Sequence, residues 1–399
     1  MHHHDRRTWR GGARPTIVFV QDALYESGGT RFTHRVIEAF RESGADARLV
    51  VLMDPADDVR RFLPHPDVPV IFACPDRLRL RRALPRAIRS FAGIMRSADL
   101  VISSSEVGYA MVAGAALSRA LGTPLVSLVQ SPLEESVRAW RPARLRPLVR
   151  WANRHVDLAA CVSEGVRQTV ISNGLPAERT TTLRVGADTL AVRAAGTPAI
   201  TRSPGTPPRL VAMGRLQPVK GFHILIQASA LLKERGRDHR ILIVGEGDQR
   251  AYLEELIARQ GVSEEVTLTG FEPNPQPLLA GADAFILSSL FEGSGGTVLF
   301  EALTHAVPVI ATDCVTGPRM VLADGKYGDL VNVEDPAALA DAIEAFLIDP
   351  GPLRAKAALG PDRAAEYDQG EAGQELLAQL RARFLQDAWT FAAATPRGA

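Results

Sequence analysis

Two carboxylates, Glu292 and Glu301, flank a glycine loop within residues 284–313 (A-F-I-L-S-S-L-F-E-G-S-G-G-T-V-L-F-E-A-L-T-H-A-V-P-V-I-A-T-D). The loop holds Gly293, Ser294, Gly295 and Gly296 and runs into Thr297 and Val298, where helical spacing begins. Backbone N–H groups at such a helix start point outward and favour an anion. A plain phosphate cradle has no use for two bordering carboxylates, which accept hydrogen bonds from hydroxyls. The ligand that matches both is one with phosphates and hydroxyls, and a nucleotide-activated sugar has both.

Further groups of the same chemistry lie upstream. Gly214-Arg215-Leu216 follows an apolar run, and Lys220-Gly221 opens the next helical stretch. An arginine and a lysine five positions apart at such a turn can clamp a diphosphate. Gly245 leaves a second apolar run and lets backbone approach a ligand closely. Gly270-Phe271 leaves a third, where a flat base can lie on backbone and ring. Each alone reads as a cap, a turn or a solvated pair. Their recurrence at the ends of successive strands makes a site.

The elements that must position them are alternating strands and helices. Thr16–Asp22 is a continuous β-branched run, as a strand buried on both faces requires. It leads through Gly28-Gly29 to a helix over 31–43, a weak anion-site signal by itself. Strand-like runs follow at 46–53, 68–73, 100–105, 124–131, 158–162 and 181–185, with helices at 107–121, 144–155 and 164–173. After a Pro/Gly/Ser/Thr-rich stretch, strands at 209–213, 240–244, 266–269, 284–288 and 308–312 alternate with helices at 219–235, 249–260, 297–305 and 336–348. Such alternation predicts α/β, doubly wound parallel sheets, which bind ligands beyond their strands' carboxyl ends. Gly28, Gly29 and Gln130 fall at those ends in the first half. The expected division is a first domain over 15–193, a linker over 194–208, a second domain over 209–362, and a helix over 363–389 packing back on the first domain.

The 399-residue length fits two domains. The net charge of +1 hides an asymmetry: residues 1–200 carry about +9, with arginine and no lysine, and the rest about −8. Seven arginines fall between Arg77 and Arg96, where Leu80, Leu84, Ala87, Ile88, Phe91 and Met95 share a helical stripe and Pro85 is expected to open the helix. A second basic stretch spans Arg138–Arg154. Two readings stay open: an apolar stripe in the core with solvated arginines, or peripheral contact with a membrane surface through Arg77–Arg96. Nucleic acid fits least, because stacking aromatics do not alternate with these arginines. Cys74, Cys161 and Cys314 lie far apart, each beside an apolar run, as buried free thiols in a reducing compartment do. No run approaches the ~20 apolar residues of a membrane span, and the chain is expected to be cytoplasmic.

Taken together, G-R-L-x-x-x-K-G-F (214–222), V-G-E-G (244–247), G-F-x-x-N-P (270–275), S-x-x-E-G (289–293), E-A-L (301–303) and P-V-I-A-T-D (308–313) resemble glycosyltransferase family four. G-P-R-M-V-L-A-D-G (317–325) and V-S-E-G-V (162–166) fit as well. The resemblance spans most of the chain. It implies the GT-B architecture, two facing Rossmann-like domains, and retaining transfer of a sugar from a nucleoside diphosphate to a glycan or lipid-linked glycan acceptor, commonly in cell-surface polysaccharide assembly. It implies that Arg215 and Lys220 hold the diphosphate, Glu301 the ribose hydroxyls, and Glu292 the transferred sugar. Backbone at Gly295, Gly296 and Thr297 would meet phosphates or sugar, and that near Gly270-Phe271 the base. No cofactor or metal is implied, in keeping with the lack of a D-x-D sequence.

Three departures stand out. Eight residues rather than seven separate Glu292 from Glu301. Gln130 stands where the family often has a histidine, and an amide cannot act as a general base. V-G-A-D (185–188) replaces N-G-V-D. These motivate an alternative, a weak or inactive member that binds a nucleotide-sugar or serves as a partner subunit. A Rossmann oxidoreductase is disfavoured, since no G-x-G-x-x-G follows the first strand.

Overall fold

The computed structural model describes residues 14–24, 28–52, 68–73, 80–140, 143–195, 205–293, 296–367 and 369–384; for 80–87, 369 and 370 only the backbone is considered. Ser294, Gly295, Cys74, Arg77, Arg79 and most of the expected linker lie outside the described residues. The chain divides into two units, residues 1–184 with 369–399, and residues 185–368.

The first unit runs β1 (Thr16–Gln21), α1 (Gly28–Glu42), β2 (Asp46–Val51), β3 (Val70–Phe72), α2 (Leu80–Ser97), β4 (Leu100–Ser103), α3 (Tyr109–Leu121), β5 (Leu125–Val129), α4 (Leu133–Ala139), α5 (Arg146–Arg154), β6 (Leu158–Cys161), α6 (Glu164–Ser172) and β7 (Thr180–Thr182). The second runs α7 (Thr189–Ala194), β8 (Arg209–Met213), α8 (Phe222–Glu234), β9 (Arg240–Val244), α9 (Arg250–Arg259), β10 (Val266–Gly270), α10 (Gln276–Ala280), β11 (Ala284–Leu287), α11 (Thr297–Thr304), β12 (Val309–Thr312), α12 (Pro318–Val321), β13 (Asp329–Val331), α13 (Pro336–Ile348), α14 (Gly351–Ala357) and α15 (Gly360–Ala365). The last helix, α16 (Gln369–Phe384), returns to the first unit and packs on α1, where a Cβ at Gly373 would come within 2.7 Å of the Ala39 methyl.

Both sheets are wholly parallel and doubly wound. Their strand orders are β3-β2-β1-β4-β5-β6-β7 and β10-β9-β8-β11-β12-β13. In each, the order reverses between the first strand and the fourth, which opens a crevice at that point of the carboxyl edge. β4, β5 and β6 are buried throughout, as continuous apolar runs between helical layers must be. In the second sheet the two-residue period sorts side chains. Leu210 and Ala212 join Leu225 and Ile226 of α8 on one face, while Val211 and Met213 join Leu299 and Phe300 of α11 on the other.

Several expectations are corrected. The first boundary falls at Val185, because Ala187 and Val192 pack in the same core as Val211 and Phe285, and Asp188 caps α7 by accepting from the Ala191 N–H. The expected helix from Arg363 is two helices, since Arg363 lies in α15 and α16 starts at Gln369. Pro85 lies in the second turn of α2, where it forfeits the bond to the carbonyl of position 81 but stays close enough to the helix start to be accommodated. Phe91 and Met95 are buried as expected, but Ile88 is 41% exposed, so the apolar stripe ends short of it. The second sheet has a sixth strand, β13, whose three residues begin with an aspartate and give too short an apolar signal.

Two consequences for stability follow. His34 of α1 has a buried Nε2 with no partner among the described residues, and burial pushes its pKa down to about 4. Above pH 6.5 both folded and unfolded imidazoles are neutral; as pH falls toward about 4 only the unfolded chain takes up the proton. Stability therefore drops across that window, by at most ~3 kcal/mol from this group. His34→Gln is expected to flatten the decline in Tm between pH 7 and 4.5, and an unchanged decline overturns the assignment.

The end of α11 gives the second. Ala306 has φ of 52°, and the Ala306 and Val307 N–H groups donate to Leu303 and Ala302 carbonyls, a Schellman cap that glycine usually fills. Ala306→Gly is expected to raise stability by about 1 kcal/mol, read as a higher denaturant midpoint at constant m-value.

Candidate functional site

In the second unit the crevice lies where β8 and β11 end side by side. After β8 the chain passes Gly214 and Arg215, turns through residues 218–220 and enters α8 at Gly221. Gly221 has φ of 61°, and a Cβ there would lie 2.0 Å from the Ser288 carbonyl oxygen. The two strand ends are stitched at this approach. Ser288 Oγ donates to the Lys220 carbonyl at 2.9 Å, and the Leu290 N–H donates to the Val219 carbonyl at 2.8 Å.

Stitching brings Lys220 to Glu292. The Lys220 ammonium donates to Glu292 Oε1 at 2.5 Å, and Ser289 Oγ donates to the same oxygen at 2.6 Å. Glu292 is 6% exposed, so its carboxylate is held by a charge and a hydroxyl in a largely dry setting. Its main chain is fixed too: Thr316 Oγ1 donates to the Glu292 carbonyl, from a residue with φ of 62°. The Cys314 thiol lies in the same environment, pushed up to about 12 chiefly by burial and also by the Glu292 charge, and is inert as a nucleophile.

Glu301 lies in α11, 9% exposed, and its Oε2 accepts from Gln276 Nε2 at 2.9 Å. α11 starts after Gly296, whose φ is 73°, with Thr297 and Val298 in its first turn. A Cβ at Gly296 would come 3.3 Å from Glu292 Oε2, which places the helix start against that carboxylate. Gly214, Gly245 and Gly270 lie side by side at the ends of β8, β9 and β10, and the Gly245 N–H donates to the Gly270 carbonyl. A Cβ at Gly245 would lie 2.0 Å from the Gly214 carbonyl oxygen, so neighbouring backbone fills the space freed there. Arg215 is exposed at the same edge, and Phe271 is 51% exposed.

The first unit gathers a different set at its own carboxyl edge. Gln130 Nε2 donates to the Ser104 carbonyl at 2.8 Å, and a Cβ at Gly29 would lie 2.3 Å from Gln130 Oε1. Gly29 and Gln130 are therefore neighbours, with Gly28 exposed at the start of α1. Glu106 Oε2 accepts from the Gln130 N–H at 3.1 Å and its Oε1 from Ser136 Oγ at 2.8 Å. Burial raises the Glu106 pKa, and likewise that of Asp22, which accepts from the Tyr109 and Ala110 N–H groups at the start of α3. A cavity of about 520 Å³ lined by Leu158, Thr180, Thr181, Gln379, Ala382 and Arg383 lies at the amino edge of this sheet, away from these groups. Among the described residues, no three of His, Cys, Asp and Glu gather as ligands for a metal ion.

Sequence reading missed several of these groups. Ser289 sits inside the S-x-x-E run, and His305, whose Nε2 lies 2.8 Å from Gln276 Oε1, stands four residues after Glu301, so both were signalled by spacing. Glu106, one residue past an apolar run, was visible in the same way. Gln276 and Thr316 come from separate elements, and only the fold brings them in.

The glycosyl transferases group 1 family model matches residues 196–359, and the glycosyl transferase 4-like domain model matches residues 27–186. The alpha-D-kanosaminyltransferase of Streptomyces kanamyceticus is 33% identical over 280 residues, covering 65% of this chain and 71% of that protein. The D-inositol 3-phosphate glycosyltransferase of Corynebacterium urealyticum is 37% identical over 179 residues, 42% of each chain, so less than half of that relative's length is spanned. Among solved structures, HepE of Anabaena in complex with UDP-glucose superposes with a TM-score of 0.77 at 22% identity, over 92% of this chain and 99% of that one. The two sheets of 3-2-1-4 order, matched in fold and in sequence, place the chain in the GT-B glycosyltransferases of group 1, family four in type.

Proposed function

We propose that the protein transfers a sugar from a nucleoside-diphosphate sugar to an acceptor hydroxyl, with retention of anomeric configuration and without a metal, in the assembly of a surface polysaccharide or lipid-linked glycan. The observation that carries this reading is the meeting of Lys220 with Glu292 at the switch point between β8 and β11, beside the start of α11. Arg215, Lys220 and the α11 N-terminus counter the charge of the departing diphosphate. Glu292 accepts from sugar hydroxyls, and Glu301 from those of the ribose. In front-face attack the leaving phosphate oxygen takes the acceptor's proton as the new glycosidic bond forms, so no protein base is needed and Gln130 is tolerated. The first unit then takes the acceptor.

A panel of nucleoside-diphosphate sugars, read by diphosphate release in the presence of a chelator, tests the reaction and identifies the donor. Arg215→Ala is expected to lower kcat/KM by ~10²–10³ at unchanged Tm, the loss typical of one transition-state donor. Turnover near wild type in that variant sinks the clamp. Nucleotide binding with no release or transfer by the wild type would favour the alternative, a binding or partner subunit.

Peripheral attachment through the first unit is supported by exposed Arg89 and Arg96 on α2, and by Arg138, Arg144 and the 47%-exposed Leu148 around α5. Among the described residues no helix is long and apolar enough to cross a membrane. Co-sedimentation with vesicles rich in anionic lipid is expected, and its reversal by about 0.5 M salt. Equal recovery with neutral vesicles removes the basis for an electrostatic contact.

A further inference from the structure

Glu301, Gln276 and His305 form an ordered chain of side chains. Gln276, the first residue of α10, is 9% exposed and places its amide between Glu301 and His305. Gln276 Nε2 donates to Glu301 Oε2 at 2.9 Å, and Gln276 Oε1 lies 2.8 Å from His305 Nε2. Chemistry fixes the direction of every bond. An ionised carboxylate only accepts, so the amide must turn its NH₂ to Glu301. The amide oxygen can then only accept, so the imidazole must carry a proton on Nε2. Had the amide been reversed, its oxygen would face the carboxylate and the bond to Glu301 would be lost, while its NH₂ would need the other tautomer of His305, with Nε2 as acceptor. His305 caps the C-terminus of α11, four residues from Glu301, and as an Nε2 donor it supports the amide orientation that Glu301 needs.

We propose that Gln276 and His305 are positioning residues that preset the Glu301 carboxylate for a vicinal diol, and so set how strongly the site prefers ribo- over 2′-deoxyribonucleotides. The proposal rests on the reading of Glu301 as the ribose ligand. One lone-pair direction of Oε2 is taken by Gln276, which fixes the carboxylate plane and rotamer before any diol arrives. The ordering is then supplied by the fold rather than by the ligand. A site built to receive hydroxyl donors penalises an analogue that lacks one, but only while its acceptors stay in place.

The test uses the full chain and titration calorimetry with UDP, GDP, ADP and their 2′-deoxy counterparts. For the preferred base, wild type is expected to favour the ribonucleotide by about tenfold or more, the worth of one hydrogen bond to a charged group. Gln276→Met, of similar volume and without a donor, is expected to shrink that ratio to within about threefold and to raise donor KM while leaving kcat nearly unchanged. His305→Ala should act in the same direction, and His305→Gln, which keeps a donor at similar reach, should restore the preference. A purely structural role would lower Tm and weaken both nucleotides equally. Glu301→Ala is the control: if it leaves the ribo/deoxy ratio intact, the ribose assignment itself falls. If it abolishes the ratio while Gln276→Met and His305→Ala preserve it, the positioning proposal is overturned.

Discussion

A backbone contact governs the second unit's site: the turn before α8 lies so close to the end of β11 that only glycine fits at position 221. Neighbouring strands at a switch point send their following helices to opposite faces, and here α8 and α11 do so, joining different cores. That divergence opens space for a ligand. The Gly221–Ser288 approach limits it, holding the two rims together so that a short lysine-to-carboxylate bond can form across them. Substituting any side chain at 221 would have to push β8 from β11 before it changed any chemistry.

The polar groups around this point are arranged in linked pairs. Lys220 meets Glu292, Glu292 meets Ser289, and Thr312 Oγ1 donates to the Ser289 carbonyl at 2.6 Å. A buried carboxylate with a charged partner and a hydroxyl is stable where a lone one is not, since removal of one partner of a buried pair strands the other at about 3–5 kcal/mol. The first unit solves the same problem without a cation. Glu106 is held by a backbone N–H and a serine hydroxyl, and burial raises its pKa. One edge therefore pairs its buried carboxylate with a cation, and the other with a backbone N–H and a hydroxyl.

The strand–helix alternation was legible in the sequence because buried parallel strands are written as uninterrupted apolar runs, and all of the expected runs appear as strands. The motif residues were legible for a related reason: they follow those runs, and the strand end fixes their location. Two kinds of information were not. Short elements such as β13 and α7 carry too few apolar residues to declare a period, so the unit boundary shifted to Val185. Contacts between elements distant in sequence leave no local trace. Gln276 reads as a turn residue after Asn274-Pro275, and its role beside Glu301 depends on α10 meeting α11.

Thr316 has a consequence for how this site can vary. Its hydroxyl fastens the Glu292 carbonyl to the segment after β12, while the other end of the glycine loop is rooted in α11 among Leu299, Phe300 and Leu303. The two carboxylates are thus tied to separate anchors, Glu292 to the segment after β12 and Glu301 to the core packing of α11. Separate anchoring lets the residues between the two carboxylates change while the groups that hold Glu292 and Glu301 stay with other elements.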